Sequence, residues 1–379
     1  MPEPPETLPP EMLLRPEIQA LSAYHVPDAT GLIKLDAMEN PYGWPNALRD
    51  DWLRALRDAE LNRYPDPRAG ALQTALREAM AIPAGMDLLL GNGSDELIQM
   101  LALAVAAPGQ GTGREPARPT LLALEPGFVM YRMIALFAGL EYVGVPLNAD
   151  DFALDLDATL QAIEAHQPAL TFIAYPNNPT GNLFAADAIE QIIAASPGLV
   201  IVDEAYAPFT DASFLPRLGD WPNLLVMRTV SKMGLAGLRL GYLAGPPAWI
   251  AQFDKVRLPY NVNVLSQASA VFALRHRAVL DQQTQAIRRE RERLAAALIA
   301  LDAGRGRLTV YPSAANFILV RTEPGRASAL FDGLLEHGIL IKTLDGSHPL
   351  LADCLRLTVG LPEENAKLLE ALAAMIGRR

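Results

Sequence analysis

RTVSKMGLAGLRLGY, residues 228–242, joins the end of an apolar, strand-like run to a loop carrying Thr229, Ser231, Lys232 and Arg239. In an apolar pocket shared with another cation a lysine loses proton affinity, and its neutral amine can attack an aldehyde. The competing reading is a surface lysine whose stem lies along the protein while its charge stays in water. A position directly after a buried-type strand, among hydroxyls and glycines, favours the first. The chain holds only five lysines, Lys34, Lys232, Lys255, Lys342 and Lys367, so few others could do such chemistry.

Outward from this segment, the runs DLLLG, TLLALEP, EYVGVPL, ALTFIAYP, GLVIVDEAY, NLLVMRTVS and RLGYLAG alternate with segments of helical period such as 94–106 and 185–196. Runs without polar alternation suit strands covered on both faces, as in a mostly parallel sheet. An α/β, doubly wound domain is therefore expected. After about residue 262 the pattern changes. Ser266 to Leu301 reads as one long helix, and TVYPSAANFILVR and CLRLTVG read as strands around a helix-like RASALFDGLLEHG, which makes a smaller α+β unit. The stretch GQGTGREPARP, 109–119, reads as a surface loop, and the proline-rich first ten residues as an extended arm.

Composition narrows the partners. Of 379 residues half are hydrophobic and a fifth charged, and no apolar run reaches the roughly 20 residues of a membrane span. The N-terminus has no basic stretch followed by an apolar one, so no secretion signal is expected. A net charge of −11 disfavours nucleic acid and anionic membranes, which call for a basic footprint. One cysteine, Cys354, leaves no disulfide framework and fits a reducing, cytoplasmic setting. The five histidines show no metal-ligand spacing, and no metal site is expected.

Three further motifs end strand-like runs. GNGSDE, 91–96, stands between a strand and a helix, where backbone amides and the helix dipole can hold a phosphate; taken alone it is equally a tight turn with Ser94 or Asp95 as helix cap. AYPNNPTG, 174–181, would project Asn178 from the carboxyl edge of the sheet, where open α/β folds bind ligands, although asparagine is also a common turn residue. VDEAY, 202–206, ends a buried-type strand on Asp203, and a carboxylate there needs a cation. The 228–242 segment is the expected source of that cation.

In this order, GNGSDE, YPNNPTG, VDEAY and SKMGLAGLRLGY resemble the motifs of fold type I pyridoxal-phosphate enzymes of the class I/II aminotransferase superfamily. ENPYG at 39–43, LNRYPD at 61–66, PYNVN at 259–263 and CLRLTVG at 354–360 bring the resemblance closest to histidinol-phosphate aminotransferases, over nearly the whole chain. The resemblance implies a large domain with a seven-stranded, mostly parallel sheet at 46–265, a small α+β domain at 266–379, and a segment 1–45 packing on the latter. It implies pyridoxal 5′-phosphate held by Lys232 as a Schiff base. Asp203 would pair with the ring nitrogen, Asn178 and Tyr206 with the phenolic oxygen. Phe128 would stack on the ring where relatives often carry tyrosine. Ser94, Asp95, Thr229, Ser231 and Arg239 would surround the phosphate. The interval from Lys232 to Arg239 is seven, one shorter than in many relatives.

Tyr64 would reach the phosphate from a second subunit, which implies a homodimer. For substrates, Arg356 would grip the carboxylate of glutamate or 2-oxoglutarate, Lys342 together with Arg356 the phosphate of histidinol phosphate, and Tyr24 and Asn40 would line the same end. The implied reaction exchanges an amino group between L-histidinol phosphate and 2-oxoglutarate, in histidine biosynthesis. Two relatives of the same fold stand as alternatives, an aromatic amino-acid aminotransferase and a threonine-phosphate decarboxylase. A regulatory domain without catalysis is an alternative of another class; residues 1–38 are short and acidic for the nucleic-acid-binding module such proteins carry.

Overall fold

The computed structural model describes residues 10–21, 26–105, 118–302 and 304–376; the arm at 1–9, Tyr24 and most of the 109–119 loop lie outside them. The first strand, β1 (Ile33–Leu35), pairs far down the chain. The next seven form one sheet: β2 (Asp87–Gly91), β3 (Thr120–Glu125), β4 (Glu141–Pro146), β5 (Leu170–Ala174), β6 (Leu199–Asp203), β7 (Leu224–Thr229) and β8 (Gly241–Gly245). Their order is β2-β8-β7-β6-β5-β3-β4. All neighbours are parallel except β8, which runs antiparallel to both β7 and β2. The loop after β7 is too short to hold a crossover helix, and a short return gives an antiparallel pair.

Alternate residues of these strands serve two cores. Ile173, Val200, Val202 and Val226 join one cluster, while Phe172, Ile201, Leu225 and Met227 join the other, so the sheet is covered on both faces. That double cover is why β5, β6 and β8 are apolar without alternation. The helices Gly93–Val105 and Ala186–Ala195 fall close to their expected places.

The remaining strands are β9 (Leu308–Val310), β10 (Phe317–Thr322), β11 (Ile339–Thr343) and β12 (Cys354–Thr358), in a second sheet ordered β1-β11-β12-β10-β9. Segment 1–45 thus contributes an edge strand, β1, parallel to β11. Two expectations change in detail. TVYPSAANFILVR is two antiparallel strands, because Pro312 and the Ser313 turn interrupt it. The long helix is two, Val264–Arg275 and Arg277–Asp302, broken at His276, whose Nδ1 lies 2.9 Å from the Phe272 carbonyl oxygen. Among the described residues no helix is long and apolar enough to cross a membrane.

Candidate active site

The carboxyl ends of β2, β3, β5, β6 and β7 converge on one cavity. Ser94, Asp95, Phe128, Asn178 and Asp203 line it, as do Tyr206, Thr229, Ser231, Lys232 and Arg239. Only Tyr64, of the residues expected around the cofactor, stands elsewhere: it is 81% exposed and stacks on Tyr260 at 4.5 Å.

Lys232 sits in a 3₁₀ turn, Ser231–Met233, immediately after β7. Its Nζ donates to the Ala37 carbonyl at 3.2 Å and lies 5.7 Å from the centre of the Tyr206 ring. Desolvation, with Arg356 and Arg239 nearby and Glu39 and Asp95 opposing, brings its pKa down to about 8. A useful share of neutral amine therefore exists near neutrality. The rate at which an aldehyde probe adds to the cofactor-free chain is expected to rise with pH through a midpoint near 8; stopped-flow absorbance over pH 6 to 10 checks it, and a midpoint near the ordinary lysine value of about 10.4 would contradict it.

Asp203 ends β6 and is 4% exposed. Its Oδ2 accepts from the Tyr131 hydroxyl at 2.6 Å and its Oδ1 from the Ala205 amide at 3.0 Å. The expected cation is not there. Of the two arginines of the 228–242 segment, Arg228 instead pairs with Glu204 at 2.6 Å and Arg239 reaches Asp95. β-strand alternation explains the swap: Asp203 and Glu204 are consecutive and point to opposite sides, and Arg228 lies on the side of Glu204. Burial, partly offset by the two hydrogen bonds, raises the Asp203 pKa to about 6. Among the described residues no cation lies within ion-pair distance, so the carboxylate fits a ligand that brings its own positive charge.

Ser94 and Asp95 open the helix Gly93–Val105, whose first-turn amides have no partner within the helix and suit an anion. Arg239, in the left-handed conformation at φ 48°, reaches over this end, with Nη2 3.6 Å from Asp95 Oδ2. Any side chain on Gly93 would meet the Arg239 guanidinium at 2.7 Å. Thr229 Oγ1 lies 2.8 Å from Ser231 Oγ and accepts the Ser231 amide at 3.1 Å. The seven-residue interval is accommodated by a second 3₁₀ turn, Ala236–Leu238, directly before Arg239. These groups form a cradle suited to a phosphate.

A second cavity of about 360 Å³ adjoins the first, sharing Met38, Phe128 and Asn178. Lys342 and Arg356 line it. They are direct partners across β11 and β12, so their side chains leave one face of the sheet side by side. Arg356 Nη1 donates to Asn178 Oδ1 at 2.7 Å and Nη2 to the Asp36 carbonyl at 3.0 Å, with its guanidinium 5.4 Å from the Phe317 ring centre. Asn178 thereby links the two cavities. Asn40 lines neither: its amide nitrogen donates to Gln283 Oε1 at 3.0 Å and to the Met233 carbonyl at 3.3 Å, bracing the turn that carries Lys232.

Sequence reasoning missed Tyr131. Its signal was present in EPGFVMY, since an aromatic three residues after Phe128 on a helix shares its face; the rings meet edge to face at 5.5 Å, and Tyr131 stacks on Phe172 at 4.8 Å. Glu125, Arg132 and His348 of the second cavity were missed too.

Comparison with known proteins agrees with this geometry. The family model "Aminotransferase class I and II" matches residues 30–372. A "Histidinol-phosphate aminotransferase 2" of Cupriavidus pinatubonensis is 56% identical over 371 residues, 97% of each chain. A "Histidinol-phosphate aminotransferase" of Chromobacterium violaceum is 56% identical over 96% of this chain and 97% of its own. Among solved structures, histidinol-phosphate aminotransferase of Sinorhizobium meliloti in complex with pyridoxal-5′-phosphate superposes with a TM-score of 0.81 at 26% identity, over 96% of this chain and 97% of that one. That of Clostridium acetobutylicum shares the fold with a TM-score of 0.80 at 22% identity, over 91% and 99%. The chain belongs to the family of class I and II aminotransferases, among its histidinol-phosphate aminotransferases.

Proposed function

We propose that this aminotransferase exchanges an amino group between L-histidinol phosphate and 2-oxoglutarate, giving 3-(imidazol-4-yl)-2-oxopropyl phosphate and L-glutamate, as a step of histidine biosynthesis. The observation that carries the reading is the cross-strand pair Lys342 and Arg356 beside the Lys232 cavity: two adjacent cations serve a phosphate in one half-reaction and a carboxylate in the other. The names of relatives 56% identical support the same substrates.

The cofactor is pyridoxal 5′-phosphate, which supplies an aldehyde and an electron sink conjugated to the substrate's α-carbon. Lys232 would anchor it through Nζ and then, as the neutral amine, take and return the α-proton. Asp203, held by Tyr131, would keep the ring nitrogen protonated. Asn178 and Tyr206 would hold the phenolic oxygen and Phe128 would cover the ring. The amides of Ser94 and Asp95, with Thr229, Ser231 and Arg239, would hold the phosphate. Tyr24, outside the described residues, is proposed for the substrate end. Asn40 would act there only through the Met233 turn.

We place Tyr64 on the phosphate of a neighbouring protomer and hence propose a homodimer; its exposure and its absence from the lining of its own protomer's cavity support this. Domain limits at 45 and 265 are proposed from the two sheets, with β1 as the arm's contribution to the small one. A cytoplasmic setting is proposed from the free, buried Cys354.

The test is direct. Enzyme loaded with cofactor is mixed with histidinol phosphate and 2-oxoglutarate, and glutamate is measured, with phenylalanine and threonine phosphate as comparators. Histidinol phosphate is expected to be preferred by at least about tenfold in kcat/KM, the discrimination a single well-made charged contact provides. Absence of turnover at saturating cofactor would sink the assignment.

A further inference from the structure

Histidinol phosphate presents a phosphate at one end and an imidazole at the other, and the cations of the second cavity account only for the phosphate. We propose that Glu125 reads the ring, accepting the imidazole N–H. The inference rests on the substrate reading above and adds to it a residue for the end of the molecule that distinguishes this substrate from other phosphorylated amines.

Glu125 is the one acidic residue lining this cavity among the described residues, in a lining that also carries Arg132, His348, Lys342 and Arg356. It ends β3, at the carboxyl edge of the sheet and beside the point where the strand order reverses between β3 and β5. Such crevices are where open α/β sheets take their ligands. Its position is built rather than incidental. Gly144 of β4 stands beside it, and any side chain at 144 would collide with the Glu125 carboxyl carbon. Tyr142 of the same strand lines the cavity with it, and the nearby carboxylate, after burial, holds the Tyr142 hydroxyl protonated well above the usual phenol range.

The carboxylate is oriented but not used up. Its Oε1 is 4.0 Å from Arg132 Nη1 and its Oε2 3.8 Å from His348 Nε2, both beyond hydrogen-bond distance. A carboxylate offers about four lone-pair sites, more than these neighbours fill. The walls next to it, Pro126, Phe128, Leu344 and Leu351, are apolar and suit the faces of a flat ring. Imidazole always carries at least one N–H donor, whichever tautomer is present.

The experiment compares kcat/KM of the holoenzyme for histidinol phosphate with that for 2-amino-3-phenylpropyl phosphate, which keeps the phosphate and amine and lacks the ring N–H. Glu125→Ala is expected to lower the ratio of the two about 10- to 100-fold, the worth of a hydrogen bond to a charged group. Gly144→Ala, which displaces the carboxylate and leaves residue 125 in place, lowers the same ratio. Glu125→Gln, which keeps an acceptor oxygen without the charge, lowers the ratio less than Glu125→Ala does. A role confined to holding Arg132 and His348 would lower both substrates equally and leave the ratio unchanged, and that result overturns the inference while the substrate reading stands. Wild-type enzyme without activity on histidinol phosphate overturns both.

Discussion

Lys232→Met is expected to lower transamination by on the order of 10⁴-fold or more, because one atom, Nζ, is both the anchor and the proton carrier. Rapid mixing of the cofactor-loaded variant with glutamate, following the cofactor's absorbance, checks this; turnover within tenfold of wild type would show that another group moves the proton. The same substitution is expected to stabilise the cofactor-free chain. The folded-state pKa of Lys232 is about 8 against an ordinary 10.5, so the unfolded chain binds the extra proton between those values. Stability therefore rises with pH from about 8 to 10.5, and below pH 8 the full cost of holding a charged amine in the cavity is present. That cost is roughly 3 kcal/mol from a shift of this size. Urea unfolding of the two cofactor-free proteins should show the variant ahead by up to this amount at pH 7 and level with wild type above pH 10.5.

Stability given up at the site explains what could be read from sequence and what could not. The strands of the large sheet were legible because burial on both faces leaves an unbroken apolar run, and LTFIA and LVIVD admit few other structures. Lys232, Asn178 and Asp203 were legible because each follows such a run, and the carboxyl ends of parallel strands meet. Partnership was not legible. Which of the neighbouring carboxylates, Asp203 or Glu204, takes Arg228 depends on side-chain direction across two strands, and the answer was the second. Tyr131 serves Asp203 across 72 positions of sequence, and the contact of Asn178 with Arg356 spans 178, distances over which no local pattern carries information. The break at His276 likewise follows from a contact of its ring with the preceding turn, within a segment whose composition is helical throughout.

Asp203→Asn is expected to cost about 10³-fold in the glutamate half-reaction, comparable with removing one preorganised charge-stabilising group. In the variant the amide oxygen can still accept from Tyr131, while the amide nitrogen in place of Oδ1 no longer accepts the Ala205 N–H, so the charge is lost together with one backbone hydrogen bond. Without that charge nothing among the described residues keeps a ring nitrogen protonated, and single-turnover kinetics at saturating glutamate would register the loss in rate rather than in binding. The cofactor-free protein should respond in the opposite direction. Burial raises the Asp203 pKa from 3.8 to about 6, so between these values the folded state binds more protons than the unfolded one and stability falls as pH rises. Above pH 6 the cost is complete, roughly 3 kcal/mol, and the variant is freed of it. Unfolding at pH 7 should therefore find the cofactor-free variant more stable than wild type, with the difference gone below pH 4. Cofactor should reverse the order, because a cationic ring nitrogen supplies the partner that Arg228 gives only to Glu204. If the two cofactor-free proteins proved equally stable at pH 7, the carboxylate would already be compensated within the protein, and Asp203 would have no charge left to offer the ring.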